Sequence, residues 1–222
     1  MENTVDNEKF ALKRALNVKD ILSKKYKVFP FEGKWRDAFD TPECTGVWFV
    51  WGSSGNGKSS FVMQLCKELC KYDRVAYNSL EEGTCLTVQN SLKRFGMAEV
   101  SRRLSFIKED IPSLRMRLRR HKSYNIVIID SFQYTQMTYK EYIQLKEEFP
   151  DKLFIFISHA RGKNPKGDAA SSVMYDADLK IWVEGHIAFS KGRYQGNTGK
   201  YIIWDQGAIE YWGESLTGLK NK

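Results

Sequence analysis

Three kinds of feature are scarce in this sequence, and each shortage excludes a class of protein. No apolar run approaches the roughly 20 residues of a membrane-spanning helix, and positions 1–10, MENTVDNEKF, are polar and acidic, unlike a secretory signal. The four cysteines contain no Cys-x-x-Cys pair, and no histidine stands near them at the spacing of metal ligands. We therefore expect a cytoplasmic protein without a membrane partner, whose thiols are reduced and partly buried.

The 222 residues have the composition of a globular protein with one substantial core: 42% are hydrophobic and 28% are charged. The chain carries 35 Lys and Arg against 27 Asp and Glu, which gives a formal net charge of +8. A positive excess attracts polyanions through Coulomb forces. Composition alone therefore favours a polyanionic partner without selecting one.

Short apolar segments alternate with longer segments of helical periodicity through the middle of the chain. Continuous apolar runs such as those at 125–130 and 153–158 suit a sheet that helices cover on both faces. The alternation predicts an α/β fold with a doubly wound, mostly parallel sheet. The predicted strands occupy 46–51, 74–80, 104–107, 125–130 and 153–158, and the predicted helices occupy 58–72, 83–96, 113–121 and 139–149.

The pattern changes towards both ends of the chain. After residue 175 come four short apolar segments with glycine-rich turns, which predict an antiparallel extension of the same sheet: 176–185, 186–193, 200–205 and 208–212. At the other end, positions 8–26 predict a helix or a broken pair of helices. We therefore divide the chain into an N-terminal helical linker or assembly segment, 1–29, and one α/β domain, 30–222.

The segment WGSSGNGKSSF matches the phosphate-binding pattern G-x-x-x-x-G-K-[ST], with a predicted strand before it and a predicted helix after it. Glycines let the backbone curl so that successive N–H groups point at phosphate oxygens, and the helix N-terminus adds positive charge. Lys58 is expected to reach the β- and γ-phosphates. The predicted nucleotide-binding residues of this loop are Gly52, Ser53, Ser54, Gly55, Asn56, Gly57, Lys58, Ser59 and Ser60.

Carboxylates follow two of the predicted strands. Asp130 ends an apolar strand, and an Asp in this position beside a phosphate loop typically holds Mg²⁺ through water, with the Ser59 hydroxyl as a second metal ligand. Glu81 and Glu82 end another strand, and strand C-terminal ends line the ligand crevice of a doubly wound sheet. One of these glutamates could orient an attacking water, and two solvated acids at a turn are the alternative.

Three more polar residues stand after later strands. His159 should emerge at the same edge of the sheet, where it could hydrogen-bond a γ-phosphate or a water; a structural histidine is the alternative. Lys191 and Arg193 lie two residues apart, so a strand could place both cations on one face. From the residues alone, a charged hairpin on a solvated face is the favoured interpretation of this pair.

These segments, in this order, resemble the RecA-like ATPases, above all the ATPase domain of DnaB-type replicative helicases and their RadA-like relatives. YNSLEEG resembles that family's strand ending in S-L-E, IIDSFQ resembles I-I-D-Y-L-Q, and ISHARGK falls where the family has L-S-Q-L-N-R or a histidine-bearing equivalent. SSVMYDADLKIWV resembles G-A-I-E-Q-D-A-D before a strand, and SKGRYQGNTGKYIIW resembles K-Q-R-N-G-P-T-G before a strand. The resemblance covers approximately residues 30–206.

The resemblance implies a RecA-like ATPase domain that uses ATP and Mg²⁺, and it implies roles for single residues. Glu81 corresponds to the catalytic glutamate, Gln133 to a residue at the nucleotide, and His159 to the γ-phosphate sensor. Lys191 and Arg193 correspond to cations that the family offers to the nucleotide of the adjacent subunit, where they neutralise charge on the γ-phosphate. A shared site implies a homo-oligomer, either a hexameric ring or a filament.

Two functions of different classes are compatible with this resemblance. The first is an ATP-driven oligomer that acts on single-stranded DNA in replication or recombination, as a helicase-like protein or a recombination mediator. The second is a nucleotide-dependent switch or scaffold of KaiC-like type that does not translocate DNA. ATP turnover with and without single-stranded DNA distinguishes them.

The DNA-gripping loops of the family follow the strands of Asp130 and His159. The first loop has little room here, whereas the second carries Arg161, Lys163 and Lys166, which suit contacts to a phosphate backbone; a solvated connection is the alternative.

The family also has a separate N-terminal domain, for which we expect a protein partner to substitute. The segment 1–29 could dock on a neighbouring subunit or pack on its own domain, through apolar positions at Phe10, Leu12, Leu16 and Leu22.

Overall fold

The structure, a computed structural model, describes residues 14–213, and this part of the chain forms one mixed sheet with helices on both faces. The strands are β1 (Gly46–Gly52), β2 (Val75–Ser79), β3 (Leu104–Ile107), β4 (Ile126–Asp130), β5 (Leu153–Arg161), β6 (Asn164–Pro165), β7 (Leu179–Glu184), β8 (Ile187–Ser190) and β9 (Lys200–Ile202). The helices are α1 (Val18–Leu22), α2 (Gly33–Phe39), α3 (Lys58–Leu69), α4 (Leu86–Arg94), α5 (Ile111–Leu118), α6 (Phe132–Thr135), α7 (Tyr139–Glu148), α8 (Asp168–Asp176) and α9 (Asp205–Trp212), with a 3₁₀ helix at Met97–Val100.

The strand order is β3-β2-β4-β5-β1-β7-β8-β9, and β6 pairs with the end of β5. The neighbours from β3 to β7 are parallel, whereas β8, β9 and β6 are antiparallel to their partners. Parallel neighbours need crossover connections, which the intervening helices supply. The prediction of an α/β fold with a mostly parallel sheet and an antiparallel C-terminal extension is therefore confirmed.

The central strand β1 has a buried core on each face. Trp48 packs on one face with the α3 residue Phe61, and Phe49 packs on the other face with the α7 residue Tyr142; all four are almost fully buried. Alternate side chains of a strand point to opposite faces, so a strand that is covered on both sides must be apolar at every position. This is why β1 reads as a continuous apolar run.

Two details of the C-terminal prediction are wrong. The strand β7 is parallel to β1, so the antiparallel part begins only at β8. The segment 208–212 is not a strand but the second half of α9. Ala208 and Trp212 lie four residues apart on one face of this helix, and the Trp212 indole N–H donates to the Gly185 carbonyl at 3.0 Å. Packing on the β7–β8 hairpin therefore selects the helical period.

The described part of the N-terminal segment is less helical than predicted, and positions 1–13 lie outside the described residues. The helix α1 has five residues, begins with a capping box at Asn17 and buries none of its side chains. A helix of this length without a packing surface gains little from propagation, which limits its extent. The chain reaches the core at Phe29 and Phe31, which are both 1% exposed. The division into 1–29 and 30–222 stays a prediction.

The apolar positions proposed for docking of this segment are only partly described. Phe10 and Leu12 lie outside the described residues, and Leu16 and Leu22 are exposed. Docking on another subunit therefore stays a prediction.

The described residues also bear on membrane association and on the thiols. No helix among them is long and apolar enough to cross a bilayer. The four cysteines are free thiols, of which Cys66 and Cys70 are buried, Cys44 is half-buried and Cys85 is exposed. Burial raises the pKa of the Cys70 thiol to about 11, so this thiol stays protonated and unreactive at neutral pH.

The helices α7 and α8 are joined by a partly buried carboxylate. Asp176 Oδ2 accepts hydrogen bonds from Lys146 Nζ at 2.7 Å and from the Tyr142 hydroxyl. Burial alone would raise the pKa of Asp176, but the hydrogen bonds from Lys146 and Tyr142 outweigh burial, and the pKa lies below its ordinary value. Because the folded state lowers this pKa, Asp176 stabilises the fold above the ordinary carboxyl pKa and ceases to do so as the pH falls through the lowered value.

We predict that Asp176→Asn lowers the free energy of unfolding by about 1–3 kcal/mol at pH 7, since it weakens two hydrogen bonds to a charged acceptor. The difference from the wild type should shrink from about pH 4 downward, where the wild-type carboxylate also loses its charge. Urea unfolding at pH 7 and pH 3.5 measures both effects, with the exposed Asp151→Asn as the control. A difference that stays constant with pH would contradict this account.

Candidate functional site

The register of the parallel strands brings the predicted polar residues to one edge of the sheet. Gly52, the last residue of β1, is paired with His159 in β5. Asp130, the last residue of β4, is paired with Ser79, the last residue of β2. The turn that follows β2 carries Glu81 and Glu82. The strands β1, β2, β4 and β5 therefore bring these residues to the same edge of the sheet, as expected for parallel strands.

The loop between β1 and α3 has the shape that its glycines permit. Gly55 and Gly57 have φ angles of 80° and 93°, in the left-handed region that favours glycine. A Cβ atom on Gly52 would lie 2.2 Å from the Val183 carbonyl oxygen, so no side chain fits there. The 12-residue helix α3 then begins at Lys58, which directs its free N–H groups and positive dipole end towards the loop.

The β7–β8 hairpin holds this loop in place through Asn56. The Gly185 N–H donates to Asn56 Oδ1 at 2.7 Å, and the His186 N–H donates to the Asn56 carbonyl at 3.1 Å. The side-chain oxygen of Asn56 thus attaches the loop to the sheet, and the predicted contact of Asn56 with a nucleotide stays a prediction. Sequence reasoning missed this link, because a backbone N–H donor leaves no signal in the sequence.

A cavity of ≈ 150 Å³ lies beside the loop. The predicted site residues that line it are Ser54, Lys58, Ser59, Glu81, Asp130 and His159, and they are joined by Glu82, Val62, Ser131, Ile157 and Ser158. Ser53, Gly55, Asn56, Gly57 and Ser60 belong to the loop or to the first turn of α3 without lining the cavity, and Gln133, Lys191 and Arg193 lie outside it.

Asp130 is supported by a buried tyrosine that the sequence analysis did not select. The Tyr77 hydroxyl, on β2, donates to Asp130 Oδ2, and the Asp130–Ser131 peptide bond is cis. Burial raises the pKa of Asp130, and the charges of Glu81 and Glu82 add to this effect, whereas the Tyr77 hydrogen bond and Lys58 oppose it. Because burial disfavours the charged form, a cation placed beside this carboxylate would stabilise it.

Lys58 points back over its own loop. Its Nζ donates to the Ser53 carbonyl at 3.1 Å, a neutral acceptor. Burial lowers the pKa of Lys58, while Asp130 and Glu81 act in the opposite direction. A partly desolvated ammonium group that faces a loop of backbone N–H groups is suited to bind an anion such as a phosphate.

The two glutamates after β2 have different partners. Glu81 Oε2 lies 3.1 Å from His159 Nε2, so these side chains meet across the cavity. Glu82 Oε2 instead accepts a hydrogen bond from the Thr87 hydroxyl at the start of α4. Glu81 is thus the glutamate that contacts a second predicted site residue, whereas Glu82 is attached to the following helix.

Two solved structures share this architecture. The KaiC-like protein PH0186 from Pyrococcus horikoshii OT3 superposes with a TM-score of 0.56 and 13% identity, over 76% of this chain and 94% of that chain. The flagellar accessory protein FlaH from Methanocaldococcus jannaschii superposes with a TM-score of 0.53 and 12% identity, over 79% of this chain and 90% of that chain. The fold is RecA-like. No family model and no curated protein sequence matches the chain.

Within this RecA-like fold, Gln133 contacts protein atoms on the neighbouring strand. Its Nε2 donates to Ser158 Oγ at 2.8 Å and to the Lys166 carbonyl at 2.9 Å, and its Oε1 accepts from the His159 N–H at 3.2 Å. Its amide therefore holds the end of β5 and the β5–β6 hairpin together. Its predicted contact with a nucleotide stays a prediction.

Lys191 and Arg193 follow β8 at the opposite edge of the RecA-like sheet. The Lys191 N–H donates to the Lys180 carbonyl at 2.7 Å, and the Arg193 N–H donates to the Asp178 carbonyl at 3.1 Å. Asp178 in turn donates to the carbonyl of Val47, five residues before the end of β1. At about 3.3 Å per residue, Arg193 is anchored roughly 16 Å along the strand from its own phosphate loop. Neither cation lines the cavity of its own chain.

We predict that Asn56→Ala lowers the free energy of unfolding by about 1–2 kcal/mol, because the Gly185 N–H loses its acceptor in a half-buried position. Urea unfolding measures the change, and the exposed Asn90→Ala on α4 is the matched control. Equal stability of the two variants would show that the hairpin does not support the loop.

Proposed function

We propose that this protein is an oligomeric ATPase that binds Mg²⁺-ATP at the carboxyl edge of its sheet and hydrolyses it with cations from an adjacent copy. The observation that carries this proposal is the cavity in which Lys58, Ser59, Asp130 and Glu81 meet beside a glycine-rich loop. Phosphoryl transfer requires these parts: a phosphate-binding loop, a lysine, a hydroxyl group and two carboxylates.

The phosphate-binding part of the proposal rests on the loop and on Lys58. The N–H groups at the start of α3 already point towards the loop, so they would bind an anion without any rearrangement of the backbone. The partly buried ammonium of Lys58 adds a full positive charge. Lys58 would exchange its contact with the Ser53 carbonyl for the β- and γ-phosphates. This exchange is favourable because it replaces a neutral acceptor with a charged one.

The metal-binding part rests on Ser59 and Asp130. Ser59 has an exposed hydroxyl in the first turn of α3, and the raised pKa of Asp130 marks a carboxylate that a cation would stabilise. These groups suit Mg²⁺, which prefers oxygen ligands and keeps several waters. When bound, the metal would offset the negative charge that develops during transfer. Tyr77 would keep the Asp130 carboxylate in place.

The hydrolytic part rests on Glu81 and His159. A glutamate at the cavity can orient an attacking water and accept its proton, and Glu81 suits this role better than Glu82, whose carboxylate is bound by Thr87. His159, at 3.1 Å from Glu81, would donate to the γ-phosphate and so register whether a triphosphate is present. Gln133 would fix the backbone of His159 in this position.

Lys191 and Arg193 are proposed to act on the nucleotide of an adjacent copy. This proposal is supported by the strand register, which places the backbone anchor of Arg193 roughly 16 Å, and that of Lys191 roughly 10 Å, along the strand from the phosphate loop of the same chain. The Arg193 side chain is 70% exposed, which leaves it accessible to another copy. A site divided in this way makes turnover depend on assembly into a ring or a filament.

We predict that Arg193→Ala retains nucleotide affinity within about twofold but lowers turnover on the order of 10³-fold, the usual worth of an arginine finger. Lys58→Ala should lose nucleotide binding itself. Mixing these two inactive variants should restore turnover, because a Lys58→Ala copy lends an intact Arg193 to an intact loop. Fluorescent nucleotide binding and phosphate release measure the effects.

The exposed Arg120→Ala on the same domain is the matched control, and it should behave like the wild type. Normal turnover of Arg193→Ala, or of the strictly monomeric chain, would refute the shared site.

We further propose single-stranded DNA as the polymer on which the ATPase acts. The β5–β6 hairpin extends from the strand of His159 and exposes Arg161, Lys163 and Lys166. The Trp51 indole N–H donates to the Lys163 carbonyl at 2.9 Å, so the turn is held against the core. A row of cations on an anchored turn suits contacts to a phosphate backbone. Gln133 contacts both this turn and His159, and so offers a route by which bound DNA could influence His159.

We predict that single-stranded oligonucleotides stimulate ATP turnover several-fold and that their affinity falls as salt rises. Replacing Arg161, Lys163 and Lys166 together with alanine should reduce both the affinity and its salt dependence, because contacts to phosphates release counterions. Basal turnover without DNA should stay unchanged. Turnover and fluorescence anisotropy across a salt series test this. No stimulation and no salt-sensitive binding would favour the nucleotide-dependent switch instead.

A further inference from the structure

We propose that Asp178 is a positioning residue for the shared site: it holds the Arg193 guanidinium in the orientation in which a second copy of this chain receives it. This inference rests on the proposed function, since it assumes that Arg193 acts on a neighbouring triphosphate. It assigns a role to the second carboxylate of the segment DAD, for which the sequence analysis predicted none.

Asp178 connects Arg193 to the buried central strand β1. Its Oδ2 accepts from the Val47 N–H at 3.1 Å, and its Oδ1 accepts from Arg193 Nη1 at 2.9 Å. Val47 is fully buried in the central strand β1. Both carboxylate oxygens are thus occupied, one by the core and one by the guanidinium, so the carboxylate cannot rotate without losing a bond.

The backbone around Arg193 is held against the same strand edge. Its N–H donates to the Asp178 carbonyl, and two residues earlier the Lys191 N–H donates to the Lys180 carbonyl. A Cβ atom on Gly192 would lie 2.7 Å from the Lys180 nitrogen and 2.8 Å from the Asp178 oxygen, so only glycine allows this close approach. The Arg193 side chain is therefore fixed at its base by the backbone and at its end by Asp178.

The guanidinium nevertheless remains available to a ligand outside the chain. Asp178 occupies Nη1, and 70% of the Arg193 side chain is exposed, compared with 26% for Asp178. A guanidinium has five N–H donors, so donors remain for phosphate oxygens. Ordering the flexible side chain before assembly removes an entropic cost from the step in which the neighbouring γ-phosphate is bound.

The opposite role, a latch that withholds Arg193, fits the geometry less well. A latch must release its partner, but Asp178 and Arg193 are also joined through their backbones, and Asp178 is joined to Val47. These bonds keep the two backbones side by side, so release of Arg193 would require its side chain alone to turn away and give up its bond to Asp178 Oδ1. The two roles predict opposite effects on turnover when the charge of Asp178 is removed.

The test compares Asp178→Asn, Arg193→Ala and the double variant in the full chain. Asparagine keeps one oxygen acceptor but replaces the other with a donor, so the link between Val47 and Arg193 is lost. We expect Asp178→Asn to lower turnover at least tenfold with nucleotide affinity within twofold. The double variant should be no slower than Arg193→Ala, because Asp178 acts through Arg193. Asp151→Asn, at an exposed site, is the control.

Mixing with Lys58→Ala separates positioning from a structural effect. Lys58→Ala copies carry an intact Asp178 and Arg193, so they should restore turnover in the intact phosphate sites of Asp178→Asn copies. Unchanged or faster turnover of Asp178→Asn, a further loss in the double variant, or no restoration on mixing would overturn the inference. If Arg193→Ala itself turns over normally, the proposed shared site fails; if Arg193→Ala is inactive and Asp178→Asn is normal, the role of Asp178 alone fails.

Discussion

The in-register pairing of parallel strands is the constraint on which the rest of this structure depends. Because β2, β4, β5 and β1 run in one direction, the first polar residue after each apolar run arrives at the same edge of the sheet. A shift of β4 by one residue would turn Asp130 to the other face and separate it from Tyr77. The packing of both sheet faces, which fixes the register, therefore also assembles the cavity.

The lining of the cavity carries more negative than positive charge. Asp130, Glu81 and Glu82 share one cavity with a single lysine among the described residues, Lys58. Burial raises the pKa of Asp130, and the charges of Glu81 and Glu82 add to this effect, whereas the Tyr77 hydrogen bond and Lys58 oppose it. Such a site gains from any cation that arrives from outside, whether a metal or a guanidinium. This imbalance gives a physical reason for dividing a phosphoryl-transfer site between copies.

Sequence periodicity predicted the strands that are buried on both faces, since each must be apolar throughout. It failed at 208–212, where a short, mostly apolar segment resembles a strand although Ala208 and Trp212, four residues apart, make the packing contacts of a helix. Motif spacing selected most of the polar residues that line the cavity. It could not find the attachment of Asn56 to Gly185, because the partners are 129 residues apart and the donor is a backbone N–H group.

The strand β1 also relates the two halves of the proposed shared site. Gly52 at its end begins the phosphate loop, and Val47 near its start is bonded to Asp178, which holds Arg193. A buried strand neither stretches nor bends appreciably, so the start of the phosphate loop and the attachment point of Asp178 stay roughly 16 Å apart along the strand. Communication between successive sites would then have to arise from movement of whole copies across their interface, since this element cannot change its length.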